Sequence, residues 1–174
     1  YGLKNFILSV GRIEPKKNQL GIIRALKDTK IPLVFVGSLS QYHTAYAKEF
    51  LKQVKNNFNI KYLGSLDKKM LFSAYKSAKL HVLASWFEVL GIVNLEAAIN
   101  GCNVVTTSNG YTKEYFANLA WYCNPADENS IKNAVVKAYN SPVKSDLKRI
   151  ILKKYTWESA IPRILKVYEK VLKL

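Results

Sequence analysis

Cysteine is scarce in this chain of 174 residues, which contains only Cys102 and Cys123. Two cysteines supply neither a disulfide framework nor the ligand spacing of a metal site. We therefore expect small buried side chains in a reducing compartment, with the cytoplasm as the default. No Asp-x-Asp motif occurs, and the two histidines, His43 and His81, cannot form a metal site by themselves. His81 falls within an apolar run, where a hydrogen-bonded core histidine is expected.

Long hydrophobic runs are also missing. The most apolar stretch, residues 80–99, contains Glu88 and Glu96 and is therefore not a membrane span, and no signal peptide is recognisable. The length predicts one domain, residues 1–174, with a substantial core. Because the chain begins with Tyr1 rather than Met, we expect it to be part of a longer protein whose N-terminal domain is absent from this sequence.

Acidic residues are few: 12 Asp and Glu accompany 27 Lys and Arg, which gives a formal net charge of +15. This excess allows three interpretations, namely nucleic-acid binding, attraction to an anionic membrane surface, or a solvated lysine-rich surface without a partner. Lysines occur singly on most predicted helices, which favours the solvated surface. Residues 141–174 are denser, with nine basic and three acidic residues. The charge around Lys148 to Lys154 would suit peripheral docking on anionic lipid at the inner membrane surface.

Short apolar runs alternate with longer amphipathic segments along the chain. The short runs predict strands at residues 6–10, 32–36, 60–63, 79–84, 103–106 and 120–123. The longer segments predict helices near residues 19–28, 43–56, 67–77, 91–100, 112–118 and 129–140. Strands and helices that take turns indicate an α/β fold, a doubly wound, Rossmann-like parallel sheet of about six strands with helices on both faces.

The C-terminal segment, residues 156–174, predicts one more helix. Five apolar residues share one of its faces at helical spacing: Ile161, Ile164, Leu165, Tyr168 and Leu172. Pro162 suits a first helical turn, which predicts a start near residue 161, or a kink if the helix starts at Thr156. We expect this to be a docking helix that packs toward the missing N-terminal domain.

Glycines mark the ends of the predicted strands. Four of them lie at or just beyond a strand end: Gly11, Gly37, Gly64 and Gly110. A single glycine there usually marks a turn, but four together favour a site at which the backbone approaches a ligand closely. The carboxyl ends of parallel strands form the natural ligand crevice of such a sheet, so the candidate site is expected there.

Two basic residues, Arg12 and Lys17, occur in the loop after the first strand, within "GRIEPKKN" (residues 11–18). Arg12 can clamp an anion with its planar guanidinium, and Lys17 with a point charge. The alternative is an exposed loop with ordinary surface charge. The loop is neither a Walker loop nor a dinucleotide fingerprint, because both glycine patterns are missing, and this disfavours a dehydrogenase.

Two carboxylates stand eight positions apart within "SWFEVLGIVNLEAAINGCNVVTT" (residues 85–107): Glu88 in a loop, and Glu96 in the helix that Gly91 should open. Backbone N–H groups and the dipole at that helix start favour a phosphate. Glu96 flanks the buried face, where a ribose diol can donate two hydrogen bonds; a structural acid satisfied by protein donors is the alternative. Glu88 can orient sugar hydroxyls, or else complement the helix dipole.

Taken in order, "VGRIEPKKN", "VFVGS", "YLGSL" and "FEVLGIVNLEAAINGCNVVTTSNGYTKE" resemble the C-terminal domain of family-four retaining glycosyltransferases of the GT-B architecture. The resemblance covers residues 5–174. Its most specific element is the pair Glu88 and Glu96, followed by the loop from Gly110 to Glu114. Three positions depart from the usual aromatic residue, glycine and proline of the family: Leu90, Asn109 and Asn103. The family's rim at these positions touches the hexose, so the resemblance does not specify the sugar.

The resemblance implies a role for each site residue. Arg12 and Lys17, in the loop that Gly11 opens, would hold the diphosphate of a nucleotide-sugar donor. Glu88 would contact the transferred sugar, and Glu96 would hold the ribose. Backbone amides of three consecutive residues would contact sugar and phosphate: Leu90, Gly91 and Ile92. The base would lie, partly against main chain, near four further residues: Gly37, Leu63, Gly64 and Leu66.

The resemblance predicts the donor-binding half of a retaining glycosyltransferase that transfers a hexose from a UDP-, GDP- or ADP-sugar, without a cofactor or metal. The acceptor, a saccharide or lipid-linked saccharide, would bind through the missing N-terminal domain, and this chain alone would transfer little. Two alternatives stay open. One is a basic nucleic-acid-binding module, which has only the charge in its favour and whose affinity would fall steeply with salt. The other is a sugar-nucleotide-binding domain without catalysis.

Overall fold

The computed structural model describes residues 2–172 and contains a six-stranded sheet. Its strands are β1 (Phe6–Val10), β2 (Leu33–Val36), β3 (Ile60–Tyr62), β4 (Ala78–Leu83), β5 (Asn103–Thr107) and β6 (Trp121–Cys123). Every neighbouring pair runs parallel, in the order β3-β2-β1-β4-β5-β6. All six predicted strands are confirmed to within one residue at each end, and so is the doubly wound, Rossmann-like fold.

Residues 2–172 also form eight α-helices. They are α1 (Gln19–Leu26), α2 (Thr44–Lys55), α3 (Lys68–Ser77), α4 (Ile92–Ile99), α5 (Thr112–Phe116), α6 (Glu128–Asn140), α7 (Ser145–Lys154) and α8 (Trp157–Leu172). The first six correspond to the predicted helices. The sequence did not predict α7, because the buried Leu147 and Ile151 are separated by charged residues and form only a short apolar pattern.

The sheet is covered on both faces, which explains why its strands have continuous apolar sequences. Neighbouring residues of β1 belong to different cores: Ile7 packs on one face, and Phe6 and Leu8 on the other. Helices α1, α2 and α6 cover the first face, α3 and α4 cover the second, and α7 packs beside α4. Cys102 and Cys123 are buried and unbridged, as expected, and burial raises the pKa of each thiol to about 12.

Strands β1 and β4 diverge toward their carboxyl ends. Their pairing ends at Leu8 and His81, whereas β1 stays paired with β2 as far as Val10. The N–H of Val10 donates instead to Nε2 of His81, 3.2 Å away, so a side chain takes the place of a backbone acceptor. The strand order reverses between β1 and β4. The divergence therefore opens a crevice at the switch point, where open α/β sheets bind ligands.

His81 is fully buried and hydrogen-bonded at both ring nitrogens, which confirms the expected core histidine. Its Nδ1 lies 2.8 Å from Oδ1 of Asn94, and Nδ2 of Asn94 donates to Oγ1 of Thr106 at 3.1 Å. Because Nε2 accepts from Val10, Nδ1 carries the proton and the ring is neutral. Burial lowers the pKa of His81 to about 4.

Helix α8 begins at Trp157, so the alternative start near residue 161 is wrong and the alternative start at Thr156 is correct to within one residue. Pro162 therefore lies inside the helix. Proline has no N–H, and this removes the helical hydrogen bond to the carbonyl of Glu158. The five residues of the predicted apolar stripe are all exposed. Residues 173 and 174 of the predicted segment lie outside the described residues. No helix in the described part of the chain is both long and apolar enough to cross a membrane.

Acid should destabilise the fold through His81. An unfolded histidine titrates near pH 6.5, and this buried one near pH 4. Between these values the unfolded chain binds more protons, so the free energy of unfolding falls as the pH decreases. We expect the loss attributable to His81 to reach about 3 kcal/mol at pH 4, measured by urea unfolding. His81→Gln, which keeps a donor and an acceptor but does not titrate there, should show a smaller decrease; an equal decrease would contradict the assignment.

Candidate functional site

The loop after β1 positions Lys17 at the carboxyl edge. A 3₁₀ turn at Pro15–Lys17 is followed by Asn18 in the left-handed conformation, with φ of 55°. Nδ2 of the buried Asn18 donates to the carbonyls of Ala84 at 3.1 Å and Pro125 at 2.9 Å. One amide therefore connects the segments that follow β1, β4 and β6, and it fixes the residue next to Lys17.

Lys17 and Glu88 form an ion pair across the switch point. Nζ of Lys17 lies 2.5 Å from Oε1 of Glu88, and the two side chains are 22% and 7% exposed. A carboxylate buried to this extent needs a compensating charge, and Lys17 supplies it. The sequence placed both residues at one ligand site, and the structure brings them into direct contact. An ammonium has three N–H donors, so Lys17 can bind a second anion while it holds Glu88.

The backbone around Glu88 is held on two sides. The N–H of Trp86 donates to the carbonyl of Lys16 at 3.0 Å, which joins this segment to the loop after β1. On the other side, the N–H of Glu88 donates to Asn109, and the carbonyl of Glu88 accepts from Tyr111. Gly110 is required between them, because a Cβ there would lie 2.0 Å from the carbonyl oxygen of Glu88. The predicted loop at Gly110 therefore forms the wall beside Glu88.

Arg12 lies at the same edge but does not join the ion pair. Its side chain is 60% exposed, and its guanidinium lies 3.7 Å from the carboxylate of Glu14. Its carbonyl accepts from Nε2 of Gln19 at 2.8 Å, which fixes the backbone rather than the charge. Arg12 also lines a cavity of about 270 Å³ together with Ser40, whose buried hydroxyl has no hydrogen-bond partner within residues 2–172. The anion clamp predicted from Arg12 and Lys17 is thus not closed.

Helix α4 starts at this edge, directly after the Glu88 loop. Gly91 caps it with φ of 61°, a left-handed conformation that glycine adopts without steric cost. The first N–H groups of a helix have no partner within the helix, so this start suits an anion. Leu90 is half-buried, and Ile92 is exposed at the rim. The predicted helix start at the crevice is therefore present.

Glu96, in the second turn of α4, has a protein donor. Its Oε2 accepts from the hydroxyl of Tyr75 at 3.0 Å, and it forms no salt bridge with any residue that the structure describes. Burial, then the charge of Glu96 and the hydrogen bond to it, raise the pKa of Tyr75. The hydroxyl is therefore protonated at neutral pH and donates. A carboxylate can accept several hydrogen bonds, so the contact leaves capacity for a ligand.

The predicted base region forms a cluster of backbone contacts. The N–H of Gly37 donates to the carbonyl of Gly64 at 2.8 Å, and a Cβ on Gly37 would lie 2.1 Å from the carbonyl oxygen of Gly11. The side chains of Leu63 and Leu66 pack on the core and line an apolar cavity of about 300 Å³ beside α3. Only the main chain of these two leucines is therefore a candidate for contact with a ligand in the crevice.

Asn103 corrects one expectation. It is the first residue of β5, at the amino end of the strand, and the crevice lies at the carboxyl ends. This departure from the family pattern is therefore not part of the rim at the sugar. The structure does not bring any three His, Cys, Asp or Glu side chains of residues 2–172 together in a way that could hold a metal ion.

Sequence reasoning missed two residues that support the site, Asn18 and Tyr75. Asn18 stands directly before the predicted helix at 19–28, which is a recognisable helix-start signal. That signal predicts a cap, but not bonds to two distant segments. Tyr75 gave no signal, because a tyrosine among apolar helix residues is equally consistent with simple packing.

The family model described as "Glycosyl transferases group 1" matches residues 1–158. A probable sucrose-phosphate synthase of Thermosipho melanesiensis is 27% identical over 175 residues, which cover 94% of this chain and 41% of that protein. The structure of a sucrose-phosphate synthase from Thermosynechococcus elongatus superposes with a TM-score of 0.85 at 20% identity, over 98% of this chain and 46% of that one. The structure of HepE from Anabaena, in complex with UDP and glucose, superposes with a TM-score of 0.82 at 20% identity, over 98% of this chain and 49% of that one. The chain spans less than half the length of these proteins.

Replacing Asn18 by Ala should weaken the fold at the site. The change removes two buried hydrogen bonds. It also places alanine, which tolerates positive φ less well than asparagine, in a left-handed conformation. We expect the free energy of unfolding to fall by about 2–4 kcal/mol in denaturant titrations. Asn18→Gly separates the two causes. It loses the same hydrogen bonds as Asn18→Ala, but glycine adopts a positive φ without strain. Asn57→Ala, which removes one bond to Gln53 at the end of α2, should cost about 1 kcal/mol. Equal losses at the two asparagines would argue against the special position of Asn18.

Proposed function

This chain belongs to the glycosyl transferases group 1 family, and on that premise we propose that it is the donor-binding half of a retaining glycosyltransferase of the GT-B architecture. The whole protein would transfer a hexose from a UDP-, GDP- or ADP-sugar to an acceptor saccharide or lipid-linked saccharide. The complex of the structurally similar HepE with UDP and glucose supports a nucleotide and a sugar as the two parts of the donor.

The observation that carries the proposal is the contact between Lys17 and Glu88 at the switch point. A diphosphate bound to the ammonium of Lys17 would lie next to the Glu88 carboxylate, and the sugar attached to that diphosphate would meet this carboxylate. Glu88 also holds Lys17 in place before the donor arrives, which reduces the entropy lost on binding. Two residues that sequence analysis assigned to neighbouring parts of one ligand are thus neighbours in space.

The proposed chemistry is the breaking of the bond between the anomeric carbon and the phosphate oxygen, with a new bond formed to the oxygen of an acceptor hydroxyl on the same face of the sugar. The hydroxyl proton passes to the departing diphosphate, which leaves on that face. Negative charge then grows on the departing diphosphate. Lys17 and the N–H groups at the start of α4 would stabilise it electrostatically. Arg12 would join them by leaving Glu14, since an ion pair this exposed is weak. Glu88 would orient the sugar hydroxyls, and Glu96 would hold the ribose.

The acceptor site would lie across a cleft in an N-terminal domain outside this sequence. Helix α8 offers a surface for that domain, because its apolar stripe is exposed and none of its described residues is buried. We also propose a cytoplasmic protein that associates peripherally with anionic membrane through the exposed basic residues of α7. Flotation with acidic against neutral vesicles tests this last point.

The chain alone should bind a nucleoside diphosphate. In calorimetry with UDP, GDP, ADP and their hexose conjugates, we expect the chain to prefer one base. Lys17→Ala should weaken binding of the preferred nucleotide about 10-fold or more, because a hydrogen bond from a charged group is lost. Lys55→Ala, at the end of α2 and outside the site, should have no effect. Equal losses for the two lysines, or binding only to short RNA or DNA with steep salt dependence, would support the nucleic-acid alternative instead.

Glu88→Gln in the complete protein should separate catalysis from binding. We expect the rate of sugar transfer to fall about 100-fold or more, because a preorganised charge next to the sugar is lost. Nucleotide affinity should stay within a few-fold, because Lys17 remains. Glu128→Gln, which removes the exposed ion pair with Arg24, is the matched control and should leave transfer unchanged. Undiminished turnover of Glu88→Gln would remove the proposed role of Glu88 and favour a domain without catalysis.

A further inference from the structure

A buried polar cluster lies beneath the crevice and joins α3, β4 and α4. The hydroxyl of Tyr75 donates to Glu96, and the ring of Tyr75 meets the ring of His81 edge to face, with 5.9 Å between the centroids. His81 is in turn hydrogen-bonded to Asn94 in the first turn of α4. Tyr75, His81 and Asn94 are completely buried, and Glu96 is the member of the cluster that is partly exposed. The cluster therefore connects the interior to one carboxylate at the site.

The position of the Tyr75 hydroxyl is fixed by its surroundings. The ring packs against Phe72 on one side, at 6.4 Å between centroids, and against His81 on another. A buried hydroxyl without a partner is costly, and within residues 2–172 the hydroxyl of Tyr75 is bonded to Glu96. Since the ring cannot move to follow the carboxylate, the carboxylate must come to the hydroxyl. Tyr75 thus determines where Oε2 of Glu96 lies.

A fixed carboxylate recognises a diol better than a mobile one. An exposed glutamate has several rotatable bonds, and ordering it on a ligand loses conformational entropy. Here one oxygen is already held, so the carboxylate has less freedom to lose on binding, and acceptor capacity remains on both oxygens. A ribose presents two adjacent hydroxyl donors, whereas 2′-deoxyribose presents one.

We propose that Tyr75 is a positioning residue that orients Glu96 to select ribose over deoxyribose nucleotides, an inference that rests on the proposed function of the site. Tyr75 itself does not touch the ligand. It acts through the hydrogen bond to Oε2 of Glu96, and the contacts with Phe72 and His81 make that bond directional.

The test is calorimetry of this chain with UDP, GDP and ADP and with their 2′-deoxy counterparts. For the preferred base, the chain should bind the ribose form about 10-fold more tightly, as expected for one hydrogen bond to a charged group. In Tyr75→Phe this preference should fall to about twofold, because the carboxylate is no longer held, while the affinity for the 2′-deoxy form changes little. Glu96→Gln should lose most of the preference. The double variant with Tyr75→Phe and Glu96→Gln should then show nearly the same ribose preference as Glu96→Gln alone, since the two residues act as one unit.

Tyr139→Phe is the matched control, because it deletes a tyrosine hydroxyl bonded to the carbonyl of Asn5, on the amino side of β1 and away from the crevice. It should keep the full preference for ribose. Thermal unfolding of each variant shows whether it is folded. If Tyr75→Phe is not folded, the test rests on Glu96→Gln alone. An undiminished preference for ribose in Glu96→Gln overturns the proposal. Equal weakening of ribose and deoxyribose forms in Tyr75→Phe would make Tyr75 a structural residue only and also overturn it. If the unaltered chain binds none of the three nucleotides, the proposed function itself fails and this inference with it.

Discussion

A nearly buried carboxylate cannot remain charged without a partner, and the ion pair between Glu88 and Lys17 meets this constraint at the point where β1 and β4 diverge. Much of the surrounding structure holds these two charges together. The left-handed Asn18 fixes the chain beside Lys17, the bond from Trp86 to Lys16 joins the two loops, and Gly110 allows the neighbouring loop to pair with the Glu88 backbone. The geometry of the site is therefore set by backbone hydrogen bonds in the loops as much as by the charges themselves.

The strands could be predicted almost to the residue, because a strand buried on both faces leaves a continuous apolar sequence that flanking turn residues interrupt sharply. The C-terminal part of the chain was harder to predict. Helix α7 buries few side chains and so leaves a weak pattern, and Pro162 suggested a first helical turn although it lies in the second turn of α8. Local preferences favour a proline at a helix start, but they do not exclude it a turn later.

The site could be predicted in part. Strand order alone brings the loops after β1 and β4 to one edge, so the sequence placed Lys17 and Glu88 together without specifying their contact. That contact depends on Asn18, whose two partners are 66 and 107 positions away in the sequence. Asn103 shows the opposite case, because the sequence comparison with the family placed it at the rim of the site and it lies at the other end of β5. It differs from the family pattern, yet its amide donates to the carbonyls of Ala138, Ser141 and Pro142, and the substitution stabilises the turn between α6 and α7.

The amide of Asn18 makes the lengths of three segments interdependent. Because it contacts the carbonyls of Ala84 and Pro125 at the same time, a residue inserted before either carbonyl would break a bond on which the other two segments rely. An insertion should therefore be tolerated better outside this junction, for example at the exposed residues 41–43 after β2. Any change of substrate preference within the junction has to come from exchanging side chains on an unaltered backbone.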